Sequence, residues 1–83
     1  MEGFLIHTDE ADMARAMNVL RRSGKPIKLS GTLFAVRTGT PAQLLLDQIK
    51  AALPNTANVL IARTNGAYVH GSEPVASAAK LLA

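Results

Sequence analysis

The chain has 83 residues, of which 48% are apolar and 4% aromatic, with nine Lys or Arg, six Asp or Glu, two His and no cysteine. One hydrophobic core fits this length, built mainly from Leu, Ile, Val, Ala and Met, and disulfides and thiolate metal sites are excluded. A net charge of +3 permits an anionic partner without demanding one, and no apolar stretch approaches the ~20 residues that cross a bilayer.

Residues 4–7, Phe4-Leu5-Ile6-His7, read as a first strand with no basic signal segment ahead of it, so a cytoplasmic location away from membranes is expected. Thr8 and Asp9 then offer cap side chains. Asp9, Glu10 and Asp12 place negative charge where a helix dipole favours it. The helix is expected to run to about Ser23, with Met13, Ala16, Met17 and Leu20 as its apolar stripe. Arg21, Arg22 and Lys25 complement its C-terminal end, and Gly24 ends it.

Residues 26–30 form an edge-strand pattern, Ile27 and Leu29 alternating with Lys28, and Ser30-Gly31 turns the chain into a buried strand over 33–37. A second helix follows, with Thr40 as cap, Pro41 at its first position and Leu45, Ile49, Ala52 and Leu53 on one side. Pro54 discourages its continuation. Residues 58–63 are a strongly apolar strand, Asn65-Gly66 is a hairpin signal, and 67–70 would return as a short fifth strand. Gly71-Ser72-Glu73-Pro74 opens a last helix whose apolar side is Val75, Ala78, Ala79 and Leu82. The expected class is α+β: a single ferredoxin-like βαββαβ domain over 1–83, with two helices on one face of an antiparallel sheet.

The run Phe4-Leu5-Ile6-His7-Thr8-Asp9, then a helix, then Leu29-Ser30-Gly31-Thr32-Leu33-Phe34-Ala35-Val36, resembles the small ferredoxin-like proteins of CRISPR adaptation and their virulence-associated D and SinR-like relatives. The later segments over 40–53 and 58–66 are similar to the way those chains finish. The resemblance implies a dimer with sheets side by side. It also implies, in nuclease members, an Asp at the end of strand one that helps to hold a divalent metal. Asp9 is the matching residue, preceded by Thr8 where that family has an aromatic.

Asp9, Glu10 and Asp12 are the one carboxylate cluster. They read either as helix-start residues or, at Asp9, as a ligand for Mg2+. His7 and His70 lack a partner motif, and no serine stands in a nucleophile elbow. No Gly-rich phosphate loop is present. No cofactor is therefore expected. Arg21, Arg22, Lys25, Lys28, Arg37 and Arg63 are the candidates for nucleic-acid contact. Val75, Ala78, Ala79 and Leu82 are the candidates for a partner interface if the last helix does not fold back on its own sheet. The functional expectation is a non-enzymatic homodimeric module that binds a larger protein or nucleoprotein assembly. A metal-dependent nuclease using Asp9 is the alternative.

Overall fold

The computed structural model describes residues 1–22, 24–66, 70–71 and 73–82. The chain order is β1 (Glu2–Thr8), a 3-10 turn (Glu10–Asp12), α1 (Met13–Leu20), β2 (Ile27–Lys28), β3 (Leu33–Thr38), α2 (Ala42–Ala52), β4 (Val59–Thr64) and α3 (Val75–Leu82). The four strands make one antiparallel sheet in the order β2-β3-β1-β4. This is a small α+β fold compatible with the ferredoxin-like class. The fifth strand expected over 67–70 falls on 67–69, which lie outside the described residues, and His70 is not part of a strand.

The strands are short and rich in β-branched or aromatic residues, and alternate residues face opposite sides of the sheet. Phe4 and Ile6 of β1 stand opposite Val36 and Phe34 of β3, and this face carries the main core. Met13, Ala16 and Leu20 of α1 and Leu45 and Ile49 of α2 close over it. Phe4, Ile6, Phe34 and Leu45 are fully buried. The apolar stripes of both expected helices are therefore the faces that the fold uses.

Both helix starts differ in detail from expectation. The first begins as a 3-10 turn before α1, and neither Asp9 nor Asp12 makes a side-chain cap hydrogen bond. At α2 the cap position is Pro41 rather than Thr40. The buried Thr38 hydroxyl donates to Thr40 Oγ1 at 3.2 Å and accepts the Thr40 N–H at 3.1 Å. Thr40 is thus held back toward the strand. After α1, the Gly24 N–H donates to the Leu20 carbonyl at 3.1 Å, closing the last turn.

The opposite sheet face is covered by α3. Ala78 and Leu82 are buried against Ala35, with Leu5, Ile27, Leu29 and Leu81 packed around them. The C-terminal end of α3 lies on Gly3, where a Cβ would come 2.4 Å from the Leu81 carbonyl oxygen and 2.8 Å from Leu82 Cα. The Thr64 hydroxyl lies 3.2 Å from the carbonyl oxygens of both Gly3 and Leu82, which share its one proton, joining β4, β1 and α3 at this crossing. A side chain at position 3 and a helix at this height cannot coexist, which is why a glycine sits inside β1.

Candidate functional site

Asp9 leaves β1 between the buried Thr8 and the 3-10 turn. Its carboxylate accepts the backbone N–H of Asn58 at 3.1 Å, and the Asn58 side-chain amide lies 3.3 Å from both carboxylate oxygens. Asn58 immediately precedes β4, so Asp9 locks the end of β1 to the entry of β4, across 49 positions of sequence. A charged acceptor with several donors is among the stronger protein hydrogen-bonding arrangements. Replacing Asp9 with alanine is expected to lower stability by about 1–3 kcal/mol, with Asp9→Asn losing less, as read from urea denaturation midpoints.

Glu10 is exposed and its side chain lies against Gly31, 3.3 Å from where a Cβ would stand. Asp12 is buried. The three carboxylates of the expected cluster therefore have separate surroundings. Among the described residues no group of three or more His, Asp or Glu is arranged to hold a metal ion. His7 and His70 are both exposed, and His7 stands in register between Leu33 of β3 and Leu60 of β4.

The partner-interface candidates on α3 separate into two kinds. Ala78 and Leu82 are taken up inside the chain, packed on its own sheet, and Ala79 is partly buried. Val75 is exposed at the start of the helix. The helix folds back because its apolar stripe finds Ala35 and Leu5 on a sheet face that would otherwise be open to water.

Sequence reasoning marked the apolar run over 59–62 without singling out Leu60. It is 62% exposed on β4, a six-residue strand that among the described residues has β1 as its one neighbour in the sheet. Leu60 lies on the α3 side of the sheet, beside His7 and away from the Gly3 end that α3 covers. Val59-Leu60-Ile61-Ala62 is apolar on both alternations, so no pattern in those residues marks which of them water reaches. The signal was positional: on a sheet with one short covering helix, an edge strand keeps one end bare.

The basic candidates gather unevenly. Arg21 and Arg22 follow α1, and with Asn18 and Val19 they line a surface depression. Gly24 brings the next segment against β3, where a Cβ would lie 2.5 Å from the Arg37 carbonyl oxygen. The β2–β3 register pairs Ile27 with Ala35 and Lys28 with Phe34. Arg63 lies across the sheet from this group, with its Nη1 3.3 Å from Glu2 Oε1. That exposed pair contributes little to stability.

No helix among the described residues is long and apolar enough to cross a membrane. No protein-family model matches the chain, and no curated protein or solved structure matches it either.

Proposed function

We propose that this chain is a homodimeric interaction module of ferredoxin-like βαββαβ design, a regulator or inhibitor that binds a larger protein or nucleoprotein assembly without catalysing a reaction. The observation that carries this reading is the bare end of β4, where Leu60 is 62% exposed on a strand with one neighbour among the described residues. An apolar side chain on a strand with one neighbour among the described residues suits pairing with the same strand of a second copy, because the leucine is then covered. A two-fold axis beside β4 would set the two sheets side by side, the arrangement that the likeness to CRISPR-adaptation proteins implies.

Light scattering on the pure protein tests this directly. The expected mass at micromolar concentration is that of a dimer, and Leu60→Lys is expected to yield a folded monomer with unchanged helix content by circular dichroism. A monomeric wild type removes the reading. The competing role for Asp9, as a Mg2+ ligand in a nuclease, is less well supported because its carboxylate already serves Asn58. Magnesium- or manganese-dependent cleavage that disappears in Asp9→Asn, while the fold persists, would restore it.

A further inference from the structure

We propose that Asn65 is a site of spontaneous covalent modification, converting in water to aspartate and isoaspartate through a cyclic imide closed onto the backbone of Gly66. The reaction needs an asparagine free to fold its side chain back along the chain, and a following residue that leaves its peptide nitrogen uncovered. Asn65-Gly66 supplies both. The β1–β4 register ends with Gly3 opposite Thr64, so Asn65 stands one position past the ladder, in an exposed bend. Gly66 is exposed as well, and a Cβ built on it would meet nothing within 4 Å among the described residues beyond its chain neighbours. Its φ of +137° is a backbone conformation that favours glycine. The fold therefore keeps beside Asn65 the neighbour that shields the attacking nitrogen least.

The Gly66 nitrogen, once hydroxide has taken its proton, attacks the side-chain carbonyl carbon of Asn65. A bond forms between that nitrogen and Cγ, the bond from Cγ to Nδ2 breaks, and the amide nitrogen leaves as ammonia with a proton from water. Water then opens the imide at either carbonyl. Opening at Cγ leaves the ordinary main chain with an aspartate. Opening at the main-chain carbonyl routes the backbone through the side chain as isoaspartate. One amide and one water have become one carboxylate and one ammonium, and nothing is oxidised or reduced.

The other three asparagines supply the contrast. Asn18 lies inside α1, and the Asn58 amide is held 3.3 Å from both carboxylate oxygens of Asp9. Valine follows each of them and threonine follows Asn55, and a β-branched side chain crowds the attacking nitrogen. At Asn65 the product also changes the charge of its surroundings. Asn65 lines a surface depression with Glu2 and Arg63, whose ion pair spans 3.3 Å, so a carboxylate at 65 offers Arg63 a second acid.

The test incubates the purified full chain at physiological temperature, at neutral and mildly alkaline pH, and maps its peptides by mass spectrometry with fragmentation that separates aspartate from isoaspartate. Asn65 is expected to convert at least about tenfold faster than Asn18, Asn55 or Asn58, to give both isomers, and to convert faster as pH rises. Because Asn65 lies past the ladder, its rate in the folded chain should stay within about tenfold of its rate in urea. Asn65→Gln, whose longer side chain closes a larger and slower-forming ring, should keep the helix content by circular dichroism and lose the conversion. Asn65→Asp marks where the product elutes on cation exchange. The proposal is overturned by an Asn65 that converts no faster than the other asparagines, or by a folded chain that suppresses the conversion beyond that tenfold margin. Aspartate without isoaspartate would show direct hydrolysis and overturn the imide route.

Discussion

Phe4→Ala is expected to remove a large share of the protein's stability. Phe4 is fully buried in the centre of the main core, on the strand that pairs with both β3 and β4. Truncating a buried phenylalanine costs about 3–5 kcal/mol, partly from lost transfer free energy and partly from the cavity left behind. A domain of this length has roughly 4–12 kcal/mol in total, so the loss consumes a large share of it. Urea denaturation monitored by circular dichroism should show the midpoint fall far below that of the unsubstituted protein. Phe4→Leu, which fills much of the same space, should retain a cooperative transition. A Phe4→Ala protein with a midpoint close to wild type would mean that the α1/α2 core does not dominate stability.

The second large effect is expected at Gly3. Gly3→Val places side-chain atoms where the backbone of α3 now runs, with the first carbon 2.4 Å from the Leu81 carbonyl oxygen. Backbone cannot yield as the tip of a flexible side chain can, so α3 must lift from the sheet or β1 must shift. Overpacking of this kind costs about 1–3 kcal/mol and occasionally more. Its signature differs from that of Phe4→Ala because the damage falls on the face where Ala78 and Leu82 cover Ala35. Amide hydrogen exchange should show α3 losing protection while the α1/α2 side keeps its own. Uniform loss of protection across both faces would refute the view that α3 docks as a separate layer.

These two residues also show what could be read before the fold was seen. The apolar run Phe4-Leu5-Ile6 marked the first strand, and the helical spacing of Met13, Ala16, Leu20, Leu45 and Ile49 identified the helix faces of the main core, because burial on one face leaves a periodic trace in the chain. β4 and the end of α2 at Leu53-Pro54 were legible for the same kind of local reason. Gly3 gave no such trace. Its meaning depends on Leu81 and Leu82, which no local pattern connects to it, although a glycine inside a strand is itself a hint of close backbone approach.

The candidate site was less legible still. Asp9 was identified as a helix-start residue on sound local grounds, yet its carboxylate serves Asn58, a partner fixed by sheet topology. The cap position of α2 falls on Pro41, and Thr40 is bonded instead to the hydroxyl of Thr38 two positions earlier. The exposure of Leu60 depends on which strand lies at the sheet edge and how far α3 reaches. The basic residues could be counted from the chain, but only the fold brings the segment at Gly24 against the Arg37 carbonyl.

The position of β1 has a consequence for how the protein is made. β1 leaves the ribosome before the strands it pairs with and ends at the middle of the sheet, bonded on one side to β3 and on the other to β4. Its pairing with β4 links Gly3 to Thr64, 61 positions apart. Such non-local pairing is slow to form, because a long stretch of chain must be ordered before the contact rewards it. During synthesis β1 must therefore wait, its apolar residues uncovered, until β3 and then β4 emerge, and α3 closes the second face last. Translation speed through the later half of the message, and whatever shields the nascent β1 meanwhile, will bear on yield as strongly as the stability of the finished fold.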